Sequence, residues 1–247
     1  MTDSVRTSSQ PERRSLRRPR VPSAFVAHGS PMTVMDREFG AALGKFFRRH
    51  QQIRALVVVS AHWQTAGPVH ISSSPRPSLL YDFMGFPGWL YEVSYPWPGE
   101  PGLAQHLAIL LEQAGFEARL DPDRGLDHGV FVPLKVVFPD ADVPVVELSL
   151  DRSLDVMKHI AAGRALEPLR ERGVLILGAG MSFHNLRALG DPRATDPSER
   201  FDHWLDAAVT LPGERRAERL QKWAAAPAAR IAHPREEHLL PLMVAAG

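Results

Sequence analysis

The chain has 247 residues, a formal net charge of +1 and no cysteine, which excludes disulfides, thiolate metal sites and a cysteine nucleophile. Within residues 1–20, six arginines face only Asp3 and Glu12, so the remainder is net acidic and no nucleic-acid partner is expected. The apolar stretches are too short and too interrupted to cross a bilayer, so we expect a cytoplasmic protein with no membrane partner.

The chain begins with an Arg- and Ser-rich segment that lacks the apolar core of a signal peptide. Residues 1–21 are therefore predicted to form a disordered leader, with a transit peptide as the alternative. Residues 22–247 are long enough to form one large α/β domain with a sizeable core.

Apolar, β-branched runs alternate with helical patterns along the rest of the chain. Strands are predicted at 23–30, 54–63, 69–73, 143–150 and 174–180. Helices are predicted around 39–47, over 103–113, between the last two strands and after Pro197, whereas 81–102 and 121–131 are predicted to be irregular. This order of elements predicts a single three-layer α/β domain with a central mixed sheet flanked by helices.

The chemistry is expected among the eleven histidines of the chain. A structural or solvated role is predicted for those in helices or in the middle of a strand, namely His50, His70, His106, His159 and His203. Five others stand at strand ends, in loops or before the final apolar run: His28, His62, His128, His184 and His238. Because α/β sheets gather ligands at the carboxyl ends of their strands, these imidazoles could converge on a divalent transition metal there, and any not bound to it could transfer protons.

Seven ordered blocks of sequence carry a resemblance to a known family. They are HGSPM at 28–32, VVSAHW at 58–63, YDFMGFP at 81–87, YPWPGEPGLA at 95–104, GLDHGVFVPLKVVFPDADVPVVELSL at 125–150, GAGMSFHNL at 178–186 and HPREEHLLPL at 233–242. The chain from residue 22 onward resembles the class III extradiol ring-cleavage dioxygenases. It is most similar to the group typified by the DOPA 4,5-dioxygenase, which is related to the catalytic subunit of protocatechuate 4,5-dioxygenase.

The resemblance implies a role for each of these five histidines. His28, His62 and His238 are the implied metal ligands, with Glu237 as the alternative to His238 because the third ligand of many non-haem iron sites is a carboxylate. His184 is the implied acid/base, and His128 the implied hydrogen-bond partner of substrate or oxygen. The implied metal is Fe(II), and Zn(II) is expected to occupy the same site when it replaces iron.

The implied reaction opens the ring of a small catechol with O2 outside its two hydroxyls. Tyr81, Phe83 and Trp89 in the aromatic segment are predicted to form the wall of the substrate pocket, although such rings could equally form a satellite core beneath a long loop. A homodimer is the default expectation. The group continues through a further strand, so the domain over 22–247 is expected to lack its final strand.

Two other functions are compatible with the histidines alone. A zinc-dependent hydrolase on a similar α/β scaffold is the first, because imidazole ligands do not distinguish hydrolytic water from O2 chemistry. The second is a relative that binds metal without cleaving a ring. Neither a nucleotide-binding turn nor a serine nucleophile is favoured. Phe183 stands where the G-x-G-x-x-G motif of nucleotide-binding turns has its third glycine, and the G-x-S-x-G motif of serine hydrolases is absent.

Overall fold

The computed structural model describes residues 20–50 and 52–247. The predicted leader therefore lies, as far as residue 19, outside the described residues. At its end, Val21 is fully buried and its backbone N–H donates to the carbonyl oxygen of Arg170.

The described chain forms one six-stranded mixed sheet flanked by helices, which confirms the predicted fold class. The strands are β1 (Ala24–Ala27), β2 (Ala55–Thr65), β3 (Val69–Ser72), β4 (Ala118–Asp121), β5 (Val145–Asp151) and β6 (Val174–Gly180). Their order across the sheet is β1-β6-β2-β5-β3-β4. The first four strands in this order are mutually parallel, and β3 and β4 run antiparallel to them.

Helices cover both faces of this sheet. The α-helices are α1 (Arg37–Arg49), α2 (Pro101–Gln113), α3 (His128–Val137), α4 (Val156–Leu166), α5 (Thr195–Val209), α6 (Gly213–Gln221), α7 (Ala229–Ala232) and α8 (Leu240–Ala246). The central strand β2 alternates between two cores: Val57 and Val59 pack into the core beneath α2, α4, α5 and α8, whereas Leu56 and Val58 face α1 and α3. The result is the three-layer arrangement expected when both sheet faces are apolar.

Strand β2 contains an irregularity close to its carboxyl end. Its pairing with β5 runs in register to Val59↔Leu148 and resumes only at Gln64↔Leu150. Three extra residues therefore bulge out of the ladder between these pairs, and His62 lies among them. Such a bulge changes the direction in which a strand presents its side chains.

Two elements differ from the sequence predictions. Strand β4 was not predicted, because its residues Ala118–Asp121 include only one large apolar side chain and none is fully buried. The segment expected to be an irregular loop around His128 instead starts a helix, α3, with Asp127 as its N-cap residue. The seven residues of α3 from His128 to Leu134 are all buried, so the helix lacks an amphipathic pattern, and Pro133 lies inside it.

No helix within the described residues has the length and apolarity needed to span a bilayer.

Candidate active site

The ends of three neighbouring parallel strands bring His28, His62 and His238 together. His28 follows β1, and its backbone N–H donates to the carbonyl oxygen of Gly180, the last residue of β6, at 3.0 Å. The carbonyl oxygen of His238 in turn accepts from the N–H of Met181, at 2.9 Å. The ring centroids lie 4.9 Å apart for His28 and His62, 5.3 Å for His28 and His238 and 5.0 Å for His62 and His238.

Two further histidines complete this group, which we call the histidine cluster: His28, His62, His128, His184 and His238. His128, the first residue of α3, has its ring centroid 4.1 Å from that of His62. His184 lies in the loop after β6 and stacks on His238, with a centroid separation of 3.3 Å and an angle of 14° between the rings. The structure thus places all five sequence-predicted residues in one group. His233 lies apart, with its Nε2 bonded to the carbonyl oxygen of Ser182 at 2.9 Å.

Fixed partners at Nδ1 orient three of the rings. Nδ1 of His28 lies 2.8 Å from the carbonyl oxygen of Gly29, Nδ1 of His128 lies 2.8 Å from Oδ1 of Asp82, and Nδ1 of His238 lies 3.0 Å from Oε1 of Glu237. A carbonyl oxygen and the oxygens of an ionised carboxylate accept hydrogen bonds but cannot donate them. Each of these Nδ1 atoms is therefore assigned the proton, and each Nε2 keeps its lone pair. Oxygen partners of this kind are typical behind metal-binding histidines.

The Nε2 atoms of His28, His62 and His238 differ in their partners. His28 Nε2 and His62 Nε2 are 3.3 Å apart and can share one hydrogen bond, in which one ring donates and the other accepts. His238 Nε2 is buried without a hydrogen-bond partner among the described residues. A buried polar atom without a partner is rare, and a metal ion would satisfy it. The donor set therefore fits a divalent transition metal.

Three imidazoles of the cluster are held neutral by their surroundings. Burial, reinforced by the neighbouring histidines, lowers the pKa of His28 to about 2 and the pKa of His62 to about 3. The same causes lower the pKa of His184 to about 4. Neutral imidazole is the form that binds metal ions and accepts protons, so these side chains are ready for either role at neutral pH.

Distances alone leave the choice of the third ligand open between His128 and His238. The ligand atoms of His28, His62 and His128 lie within 4.8 Å of one another, and so do those of His184, Glu237 and His238. Oε1 of Glu237 accepts from His238, whereas Oε2 lies 3.5 Å from Nη1 of Arg235 and is buried without a hydrogen bond among the described residues. Burial alone would raise the pKa of Glu237, but the hydrogen bond from His238 lowers it to about 2. These contacts favour Glu237 as the partner of His238 over Glu237 as a ligand.

Asp82 is a site residue that the sequence did not single out. Its Oδ1 accepts two hydrogen bonds from His128, one from the backbone N–H at 3.0 Å and one from Nδ1 at 2.8 Å. Its Oδ2 lies 3.5 Å from Nδ1 of His62. Burial acts to raise its pKa, but the hydrogen bonds from His128 and the proximity of His62 lower it to about 2. One carboxylate thus ties the irregular aromatic segment to two cluster histidines. The YDFMGFP block was the only signal that could have marked it.

A buried network of charged residues lies behind His62 and His128. Asp127 Oδ1 accepts from Ser60 Oγ at 2.7 Å, and Asp127 Oδ2 accepts from Nη2 of Arg124, also at 2.7 Å. The same Nη2 lies 3.2 Å from Oε1 of the fully buried Glu147. Burial and the neighbouring Asp127 raise the pKa of Glu147 well above its ordinary value, so this carboxyl group keeps its proton to a higher pH than an exposed glutamate does.

A cavity of about 1150 Å³ opens from the histidine cluster. It extends along the loop after β6 to the first turns of α5, and Phe83, Phe86, Phe183, Leu186 and Leu189 supply much of its apolar wall. Of the three rings predicted to form that wall, only Phe83 lines it. Tyr81 packs beside Phe83 and donates to the carbonyl oxygen of Val93, and Trp89 is 42% exposed outside the lining.

Comparisons with known proteins agree with this geometry. Residues 23–247 match the family described as the catalytic LigB subunit of aromatic ring-opening dioxygenase. A Beta vulgaris protein named 4,5-DOPA dioxygenase extradiol is 37% identical over 234 residues, which cover 90% of this chain and 85% of the relative. An Escherichia coli K12 protein of the same name is 36% identical over 92% of this chain and 85% of its own length.

A solved structure supports the same assignment. The crystal structure of an uncharacterized Escherichia coli K12 protein superimposes with a TM-score of 0.69 at 32% identity and covers 90% of this chain and 87% of that one. The family match covers nearly all of the described chain, including each histidine of the cluster. The chain therefore belongs to the LigB family of aromatic ring-opening dioxygenases, and it is an extradiol ring-cleavage dioxygenase.

Proposed function

We propose that His28, His62 and His238 hold Fe(II) and that the protein opens the ring of a catechol between a hydroxylated carbon and its unhydroxylated neighbour. The observation that carries this proposal is the convergence of imidazoles: the Nδ1 atoms of His28 and His238 have oxygen partners, while the buried Nε2 of His238 has none among the described residues. His238 is preferred over His128 as third ligand because Nε2 of His238 is buried without a hydrogen-bond partner among the described residues.

The remaining side chains of the cluster position the substrate and move its protons. His184 faces the shared space while stacked on His238, and its lowered pKa keeps the ring neutral, the form that can take a proton from a catechol hydroxyl. His128, oriented by Asp82, has a free Nε2 for a hydrogen bond to substrate or oxygen. Phe83 and Phe86 exclude water from the flat ring. Bound Fe(II) would relay electrons between catechol and O2, which react poorly without it.

The test is anaerobic reconstitution with Fe(II), followed by a catechol panel and air. We expect O2 uptake with a yellow ring-opened product. Absence of O2 uptake across the panel, together with esterase or peptidase activity in the zinc-loaded protein, would refute the proposal and favour the hydrolase.

Substitutions separate the two roles that we assign within the cluster. His62→Ala should lose stoichiometric metal, measured by elemental analysis, whereas His184→Ala should keep the metal and lose turnover. His106→Ala, on α2 and 2.8 Å from Arg172, is a histidine control that should keep both. Loss of metal in His184→Ala would contradict the division between ligand and base. The cytoplasmic location and the homodimer stay predictions from the sequence.

A further inference from the structure

We infer that the substrate is a catechol whose ring substituent is apolar along its length and ends in an ammonium group rather than a carboxylate. This inference rests on the proposed function. Its starting point is the size of the cavity, because about 1150 Å³ lies at the upper end of small-molecule sites, whereas a bare catechol is no larger than a tyrosine side chain. Most of the cavity is therefore available to a substituent.

The wall beyond the histidine cluster is apolar and open to solvent. Leu186 and Leu189, in the loop between β6 and α5, line the cavity while 72% and 82% exposed. Large apolar side chains left uncovered around a cleft are typical of a surface that a ligand covers. An apolar substituent would bury them.

The charges along the cavity disfavour a carboxylate. Among the described residues that line it there is no lysine or arginine, and its acidic residues are Asp191 and Glu199. Asp191 is neutralised by Arg193, whose Nη2 and Nε lie 2.7 and 3.1 Å from Oδ2. Glu199 has no hydrogen bond or ion pair from its carboxylate within the described chain. It is thus the one unpaired charge of the described lining, and it is negative.

The start of α5 does not supply a substitute for a cationic residue. The N–H of Thr195 already donates to the carbonyl oxygen of Pro192, and Pro197 has no N–H. Asp196, the acidic residue of the first turn, is paired with Arg200 at 3.6 Å, so the turn leaves no unpaired positive charge. A carboxylate placed here would lose its hydration without gaining a partner, whereas an ammonium group would meet Glu199.

One other cationic group lies close enough to be tested. Arg187 lines a separate pocket with Arg235 on the far side of the loop that carries His184 and Leu186. A carboxylate substrate that bent around this loop would depend on Arg187, so an Arg187→Gln variant distinguishes that arrangement from ours.

The experiment measures binding of three catechols by calorimetry to the zinc-loaded protein under argon, so that no turnover is required. The ligands carry the same two-carbon side chain ending in ammonium, methyl or carboxylate. We expect the ammonium ligand to bind tightest and the carboxylate ligand about tenfold more weakly than the methyl ligand. Glu199→Gln should weaken only the ammonium ligand, by about three- to fivefold, as expected for an exposed ion pair. Asp196→Asn, which removes a charge one turn away at a residue outside the cavity lining, should change none of the three affinities.

Each outcome decides between the inference and its alternatives. Tightest binding of the carboxylate ligand, with or without loss in Arg187→Gln, would overturn the inference but leave the proposed function intact. An unchanged ammonium affinity in Glu199→Gln would also overturn it. Failure of all three catechols to bind would refute both the inference and the proposed function.

Discussion

Glycine at position 129 allows α3 to approach the histidine cluster closely, so Gly129→Ala should disturb the metal site. A Cβ atom there would lie 2.7 Å from Ser60 Oγ, 3.0 Å from His62 Cδ2 and 3.1 Å from Asp127 Oδ1. To reach ordinary contact at 3.4 Å, the His62 ring must move by about 0.4 Å and the Ser60 hydroxyl by about 0.7 Å. The buried Ser60–Asp127 hydrogen bond lies in the way of both movements.

The change in unfolding free energy that Gly129→Ala causes is the sum of two opposing effects. Overpacking of this kind costs about 1–3 kcal/mol. Replacing a helical glycine by alanine returns about 0.5–1 kcal/mol. Gly102→Ala is the matched control, because Gly102 is the second residue of α2 as Gly129 is of α3, and its Cβ would meet only the flexible end of Glu100. We therefore expect Gly129→Ala to be less stable than Gly102→Ala by about 1–3 kcal/mol.

Two measurements check this reasoning. Urea unfolding of the metal-free variants gives the difference in free energy, and competition with a chelator gives the metal affinity. Displacement of His62 should weaken metal binding by about 10- to 100-fold in Gly129→Ala, as for loss of an orienting contact. Wild-type metal affinity in that variant, or stability equal to that of Gly102→Ala, would refute the idea that the close approach of α3 positions His62.

Three further predictions concern the charged partners and the metal. Asp82→Ala should lower kcat by about 10- to 100-fold, and Asp82→Asn, which keeps an oxygen for His128, should lower it less; equal losses at matched metal loading would contradict a role through that hydrogen bond. Because the pKa of Glu147 is raised in the folded protein, folding takes up a proton at this residue. The contribution of Glu147 to the free energy of unfolding is therefore largest below the ordinary glutamate pKa of 4.5 and declines as the pH rises. The unfolding free energy of metal-free Glu147→Gln relative to wild type should therefore increase with pH, and parallel pH profiles would contradict a protonated Glu147. Zinc at a hundredfold excess over its Kd should stabilise the wild type by about 2.7 kcal/mol and leave His238→Ala unchanged; equal stabilisation of both proteins in thermal unfolding would exclude His238 as a ligand.

The central strands were predictable because their sequence pattern is dictated by burial alone. β2, β5 and β6 are covered on both faces, so their sequences are rich in apolar residues, although β5 also buries Glu147 and Ser149. At the sheet edge, β4 is half exposed and has no comparable pattern. Helix α3 was missed for the opposite reason, since it is buried on every side and contains Pro133.

The convergence of the five histidines was predictable from their positions at strand ends, in loops and before the final apolar run, but the residues that orient them were not. Asp82 contacts His128 across 46 residues of sequence, and Arg124 contacts Glu147 across 23. Neither pair has a spacing that corresponds to a helix or strand period, because the contacts arise only when the aromatic segment folds over α3 and β5. The unpaired Glu199 likewise depends on the position of α5 beside the cavity.

The bulge in β2 separates the part of the strand that supports the fold from the part that carries chemistry. Val57 to Val59 and then Gln64 and Thr65 are paired with β5, so the ladder is anchored on both sides of the intervening residues. Side chains between these anchors can change without altering which face Val57, Val59 or Thr65 presents to the core. Of residues 60–63 only His62 is not buried, so it is the position in this stretch where a different side chain could be introduced without a shift of strand register.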